Sequence, residues 1–317
     1  GVACFPKDGV NYDSLLHAAD LAMYRAKKNG KSAVAFSMGE VTGCSEQLEK
    51  EFALRRAIVD GCKEFRLLFH PFVDAKTNLW SGAEVLIRWD SPQFGLIYPG
   101  EFIPICEKLG LISQLGKWIL ATALKQVSDW KLENGSSFFI SFNISILDFQ
   151  NVTFSKYLLD LLERFHFPPQ SVMLELTESL QIYNVKEIKA SIDFLRKKGV
   201  LVALDGFGLG YASLERIRDL SGIDFIKVNR NFVKDCIGDE LKTALVTVIA
   251  MLAHATRTRV CAEGVESETL RSALTEIGYD FLQGEYFQKP LPEAEFKKAL
   301  ANHRASNASK SASLQSA

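Results

Sequence analysis

The stretch VLVALDGFGLGYASL, Val200 to Leu214, decides between two folds. An apolar run of strand type reaches Asp205, and Gly206, Gly208 and Gly210 then carry the chain into a helical pattern. A glycine turn between strand and helix is where an open, doubly wound sheet cradles a dinucleotide phosphate, and there the spacing is GxGxxG. Here the spacing is GxGxG, and no GxxxxGK occurs in the chain. The same glycines suit a loop at the mouth of a barrel, where positive φ and movement are useful. That is the preferred reading.

Outward from this stretch, strand-like runs recur: LLFHPFVDA, GAEVLIRW, FFISFNIS, SVMLELTE, VLVALDGF, IDFIKVN, RVCAEGV and DFLQGEYF. Helical patterns such as VKEIKASIDFLRKKG and SETLRSALTEIG separate the later ones. Eight strands alternating with helices over about 250 residues have the size and rhythm of a (β/α)8 barrel. An open sheet has the same periodicity, so the polar residues decide. Glu84, Asn143, Glu175, Asp205, Lys227, Glu263 and Gln283 each sit near the carboxyl end of a different strand. A barrel gathers those ends around one mouth, whereas an open sheet strings them along an edge. The fold class expected is α/β, a TIM-type barrel preceded by a small α+β fragment.

That fragment is residues 1–37: a strand (GVACF), a turn (PKDG), an amphipathic helix (DSLLHAADLAMYRAKKNG) with Asp13 or Ser14 as cap and Gly30 as stop, and a strand (SAVAF). It has too little apolar area to form a domain alone. Residues 38–47 read as a linker, 48–302 as the barrel domain, and 303–317 as a disordered polar tail.

The 317 residues carry 37 basic and 38 acidic side chains, a net charge of -1. No overall basic field exists to hold a nucleic acid or an anionic membrane, so neither is expected as a partner of this segment. Six scattered cysteines show no CxxC or Cys/His ligand spacing and read as reduced thiols, which favours the cytoplasm. The most apolar helix candidate, TALVTVIAMLAHAT, falls short of the roughly 20 residues of a membrane span. The chain opens on Gly1 without a Met and reads as a cytoplasmic piece of something longer, which leaves a membrane anchor or sensor segment upstream open.

Four carboxylates and an amide converging on one mouth repel one another unless a cation sits among them. Hard oxygen donors suit Mg²⁺, Mn²⁺ or Ca²⁺. A pair of such ions about 4 Å apart is a common device for cleaving phosphodiesters. Taken singly, each carboxylate also reads as a salt-bridge or capping residue. Seven polar groups at seven strand ends are harder to explain that way.

Over Leu48 to Leu300 the chain resembles the EAL-domain family, bacterial cyclic-di-GMP phosphodiesterases. The ordered motifs are EVLIRW, FIPICEKLGLI, FNIS, LELTES, DGFGLGYASL, IDFIKVNRNFV, AEGVE and FLQGEYFQKPLP. Through GVACFPKDG and AADLAMYRAKKNG, the first segment resembles the carboxyl-terminal end of a GGDEF domain, without that domain's signature. The resemblance implies Glu84, Asn143, Glu175 and Asp205 as ligands of a first Mg²⁺ or Mn²⁺, with Asp205 reaching towards a second. It implies Glu263 as the base for the attacking water, Lys227 as a contact to that water or the phosphate, and Gln283 as a polar group on the same side. Glu178 would hold the loop after the fifth strand. Leu86, Arg88 and Glu266 would contact the ligand, although a core leucine and a solvated glutamate explain Leu86 and Glu266 equally well.

Three positions depart from the family pattern. Gly206 stands where a second aspartate follows Asp205, so the second cation lacks a ligand. Asn229, in KVN, replaces an aspartate, and His70, in FHP, replaces a glutamine. The imidazole of His70 can hydrogen-bond a ligand, or be a rim histidine without a special role. One cation site is therefore expected, with the second in doubt. Two readings follow. The preferred one is a module that binds cyclic-di-GMP with weak or absent hydrolysis and signals through a homodimer or a downstream effector protein. The alternative is an active metal-dependent phosphodiesterase producing linear pGpG. A barrel kept only as a protein-docking scaffold would bind no cyclic-di-GMP at all.

Overall fold

The structure is a computed structural model that describes the chain except for residues 4, 7, 10, 29–43, 129, 131–137, 150–151, 178–184, 208–221 and 316–317. The chain divides into two compact units, residues 1–65 with 89–112, and residues 66–88 with 113–317.

The first unit is mainly helical. Helix α1 (Tyr12–Lys28) begins one residue before the Asp13 or Ser14 cap that its sequence suggests. Asn11 is the cap: its Oδ1 accepts from the Ser14 N–H at 2.9 Å, and the Ser14 hydroxyl accepts in return from the Asn11 N–H at 3.1 Å. Helix α2 (Cys44–Val59) starts inside the span read as a linker. It buries Ala53, Leu54, Ala57 and Ile58. Ion pairs join it to α3 (Pro99–Lys108), Lys50 to Glu101 at 2.6 Å and Lys108 to Glu51 at 2.5 Å. The expected strand SAVAF lies outside the described residues.

The second unit is a closed barrel. Its strands are β1 (Phe65–Asp74), β2 (Trp80–Ser91), β4 (Phe139–Ile144), β5 (Val172–Thr177), β6 (Leu201–Phe207), β7 (Phe225–Val228), β8 (Arg259–Ala262) and β9 (Phe281–Leu282). They pair in the order β1, β2, β4, β5, β6, β7, β8, β9, and β9 returns to β1. Each of the eight expected strand runs supplies one of them. In this ring β2 lies diametrically across from β7, four steps away in either direction. A short strand, β10 (Leu291–Pro292), is added on β1, and within the first unit β3 (Gly95–Ile97) pairs with residues 89–91.

One feature of the topology was not visible in the sequence. Strand β1 runs antiparallel to β9, with Val73 opposite Leu282, while β2 and β4 through β9 pair in parallel. Alternation of apolar and polar residues has period two in either direction, so it carries no sign. The reversal brings the middle of β1, with His70, to the level where the parallel strands end.

Period two also builds the interior in layers. Phe72, Phe139, Met173, Ala203, Phe225, Cys261 and Phe281 form a dry floor. Its aromatic rings sit 5.1 to 5.9 Å apart, from Phe72–Phe139 to Phe139–Phe281. Beneath it the Arg259 guanidinium lies 4.0 Å from the Phe225 ring centre. Two residues further along each parallel strand, and two residues back along β1, the side chains become polar.

The carboxyl end corrects another expectation. The segment read as a disordered tail from residue 303 is helical, because α11 runs Glu293–Gln315. It contains neither Gly nor Pro, and alanine is frequent in it. His303 stacks on Trp80 at 5.0 Å, and its Nε2 lies 3.0 Å from the Asn78 carbonyl. The polar composition lacks a repeating apolar stripe, which is why the helix escaped sequence reading.

Candidate active site

Above the aromatic floor, every strand of the barrel contributes to one polar layer. Its centre is Lys227 on β7, fully buried, with Nζ 5.5 Å from the Phe72 ring centre. The ammonium lies 2.6 Å from Glu175 Oε2, 2.9 Å from Glu263 Oε1, 3.3 Å from Glu84 Oε2 and 3.7 Å from Asp205 Oδ1. Glu84 is fixed from both sides: the Asn143 amide donates to its Oε1 at 2.8 Å, and the Gln283 amide to its Oε2 at 2.9 Å. All seven polar residues expected from the strand ends are thus together. Glu84 is the exception in position, because β2 continues seven residues beyond it.

The charges in this layer do not balance locally. Four carboxylates face one ammonium, and burial penalises each ionised group. Burial acts against the Lys227 charge, but Glu175, Glu263, Glu84 and Asp205 outweigh it and hold its pKa well above the usual lysine range. Burial and the neighbouring Glu84 push Glu175 well above the carboxylate range. Glu263, whose side chain is 21% exposed, is raised to about 7, chiefly by burial. For Glu84 burial is overcome by Lys227, His70, Asn143 and Gln283, and its pKa falls. Burial thus favours the protonated forms of Glu175 and Glu263, and a divalent cation would compete with those protons.

Glu84, Asn143, Glu175 and Asp205 offer only hard oxygen donors, and Glu175 Oε1 is buried without a hydrogen-bond partner among the described residues. Both features fit a divalent cation. Among the described residues no group of three or more His, Cys, Asp or Glu is already arranged as a cage. The carboxylates are instead gathered on Lys227, so loading the site requires them to exchange ammonium contacts for the cation.

This leads to a prediction. Raised carboxylate pKa values stabilise the fold below about pH 4.5, the unfolded value, and that stability is lost as pH rises through the folded values. A cation competes with those protons, so the increase in melting temperature on adding Mn²⁺ should be larger at pH 8 than at pH 5.5. Equal shifts at both pH values would mean that these carboxylates do not take the ion.

The three departures can be placed. Gly206 has φ +72°, in the left-handed region, where the β6–β7 register shifts between Leu204 and Phe207. The glycine serves a bulge there. Asn229 is the N-cap of the short helix α8 (Arg230–Val233), its Oδ1 accepting from the Asn231 N–H at 3.0 Å. His70 borders Glu84 and Lys227 on the polar layer. Burial lowers its pKa, and its Nε2 is buried with no partner among the described residues.

At the rim, Leu86 and Arg88 are half-buried on the same face of β2 as Glu84, and Arg88 Nη1 donates to the Ile87 carbonyl at 2.8 Å. Glu266 is exposed and pairs with Arg230 at 3.2 Å. Glu178, the expected loop anchor, lies outside the described residues. Sequence reading missed Ser141, Phe72 and Arg230. Ser141 precedes Asn143 by two residues and its buried hydroxyl has no partner among the described residues, so period two alone would have found it. The Arg230–Glu266 pair joins the first residue of α8 to the loop after β8 and leaves no local pattern.

Comparison with known proteins agrees with this geometry. The family model of the EAL domain matches residues 52–290. The chain belongs to the EAL-domain family. This EAL chain is 34% identical to the signaling protein YkoW of Bacillus subtilis over 303 residues, 95% of the chain and 37% of the relative. It is 32% identical to MucR of Pseudomonas aeruginosa, a bifunctional diguanylate cyclase/cyclic di-GMP phosphodiesterase, over 95% of the chain and 44% of the relative. It therefore spans about two fifths of the length of these relatives. Among solved structures, the EAL enzyme Bd1971 in its cAMP and cyclic-di-GMP bound form is similar with a TM-score of 0.75 at 31% identity, covering 91% of this chain and 75% of that one. The PaMucR phosphodiesterase in complex with c-di-GMP gives 0.72 at 32%, covering 78% and 99%. Among the described residues no helix is long and apolar enough to cross a membrane. Of the cysteines, Cys62, Cys106, Cys236 and Cys261 are buried free thiols.

Proposed function

We propose that this EAL domain binds cyclic-di-GMP at the barrel mouth and hydrolyses it weakly or not at all. The observation that carries the reading is Asp205 followed by Gly206 at φ +72°; on this reading a second cation would lack a carboxylate ligand there. The complexes of Bd1971 and PaMucR with this dinucleotide support the choice of ligand. A divalent cation, Mg²⁺ or Mn²⁺, would be held by Glu84, Asn143, Glu175 and Asp205, and when bound supplies polarisation of a phosphoryl oxygen and a more acidic water. Lys227 and Gln283 keep Glu84 ionised and oriented, while Leu86, Arg88 and Glu266 meet the ligand.

The alternative, an active phosphodiesterase producing linear pGpG, has one specific observation in its favour. Glu263, raised to about 7 and 2.9 Å from the Lys227 ammonium, has the pKa of a general base at neutral pH. Under either reading, residues 1–37 are taken as the end of a GGDEF-like domain and 48–302 as the EAL barrel, in the cytoplasmic part of a longer bacterial protein. Glu178 would tether the glycine loop after β6. For a homodimer or an effector protein, the available face is α9 (Glu240–Ala255), where Leu241, Leu245, Val248 and Met251 are exposed.

Calorimetric titration with cyclic-di-GMP tests the ligand. Saturable binding is expected, and Arg88→Ala should weaken it by about 1.5–3 kcal/mol, the range for a hydrogen bond to a charged group. No binding by the unmodified chain rejects the proposal, and an unchanged affinity removes Arg88 from the site.

A further inference from the structure

The mouth has a charge problem that its assigned residues do not solve. An anionic ligand must approach a layer where four carboxylates face one ammonium. Arg88 offers one guanidinium, in the second half of β2. The strand directly across the barrel is β7, and the chain leaves it through Arg230.

Arg230 is placed with unusual care for a surface residue. Gly264 follows Glu263 with φ +72°, and a Cβ there would lie 2.3 Å from Arg230 Cβ and 3.2 Å from its Cα. The missing side chain of Gly264 is thus the seat of the Arg230 stem. The Asn229 cap fixes the backbone on the other side. From this seat the guanidinium reaches Glu266 at 3.2 Å, with both side chains more than half exposed. An exposed pair of this kind contributes little to folding. The construction therefore positions a charge at the rim, and an anion can exchange with Glu266 for it at small cost.

We propose that Arg230 is a second phosphate contact, facing Arg88 across the mouth, so that the two arginines each take one phosphodiester of a two-phosphate cyclic dinucleotide. A cyclic dinucleotide carries its phosphates on opposite sides of its ring, as β2 and β7 carry these arginines on opposite sides of the barrel. The proposal rests on the cyclic-di-GMP reading above and adds to it the way in which a ligand with two phosphates is told from one with a single phosphate.

The test is calorimetric titration of the full chain with cyclic-di-GMP, for the unmodified protein, Arg230→Ala, Arg230→Lys, Arg88→Ala and the Arg88→Ala/Arg230→Ala double variant, at low and high salt. Arg230→Ala keeps the Cβ seated on Gly264, so its melting temperature should match that of the unmodified chain. Its affinity should fall about tenfold, with a shallower salt dependence, and Arg230→Lys should recover part of the loss. Because the two arginines address different phosphates, the double variant should show the product of the two single effects. Affinity within twofold of the unmodified protein for Arg230→Ala, while Arg88→Ala binds weakly, overturns the proposal. So does an Arg230→Ala effect that disappears in the Arg88→Ala background, since the two would then share one phosphate. If the unmodified chain binds no cyclic-di-GMP, the parent reading falls and this one with it.

Discussion

Replacing Lys227 with methionine should destabilise the cation-free domain by about 3–5 kcal/mol at pH 7, the range for removing one partner of a buried charge cluster. Methionine preserves the length and the packing on Phe72, so the loss reports charge rather than a cavity. The Lys227 ammonium lies 2.6 Å from the fully buried Glu175 and 2.9 Å from Glu263. Lys227 keeps its own charge through neutral pH, because its folded pKa is raised and its stabilising effect is lost only as pH rises through that value. The deficit of the variant should shrink towards pH 5, as Glu263, raised to about 7, takes up its proton and needs the ammonium less. Chemical denaturation at pH 5, 7 and 8 measures this. A loss under 1 kcal/mol at every pH would mean that the carboxylates hold their protons throughout, and that Lys227 is not their counter-ion.

Gly206→Asp should raise hydrolysis of cyclic-di-GMP by about 10²-fold, the order of one preorganised electrostatic contact restored. The gain should require Mg²⁺ or Mn²⁺ and should be abolished by adding Glu263→Gln. The backbone sets a cost: at φ +72° a side chain is strained by about 1 kcal/mol, although aspartate tolerates this region better than most residues. The melting temperature of the variant separates that strain from the chemistry. Asn229→Asp, added to it, should leave stability unchanged, because aspartate caps α8 as well as asparagine does. If turnover is unchanged in a folded Gly206→Asp protein that binds ligand normally, the missing carboxylate is not what limits the reaction.

How much of this was legible beforehand depends on the kind of signal. Strand runs carrying Glu84, Asn143, Glu175, Asp205, Lys227, Glu263 and Gln283 gave away both the barrel and its polar layer, because period two and chain order are written directly in sequence, although β2 runs on well past Glu84. The direction of β1 was not legible, since alternation reads the same both ways. Gly206 reads in sequence as a gap in a metal site, whereas its left-handed backbone belongs to the β6–β7 register shift and appears only in the fold. Asn229 looked like a lost charge and proves to cap a helix. Arg230 was invisible because its partner Glu266 and its seat at Gly264 lie on another loop, brought close by the β7–β8 pairing. The raised Glu263 and Glu175 could not be read either, since burial is a property of the assembled layer.

The most direct measurement is a single incubation of the unmodified chain with cyclic-di-GMP and Mn²⁺, with bound ligand and linear pGpG quantified from the same sample. Binding without turnover is predicted: saturable occupancy of the mouth, and pGpG no higher than in the Glu263→Gln variant. Rapid conversion to pGpG, at a rate that Gly206→Asp does not improve, would contradict the binding reading and establish the domain as a working phosphodiesterase.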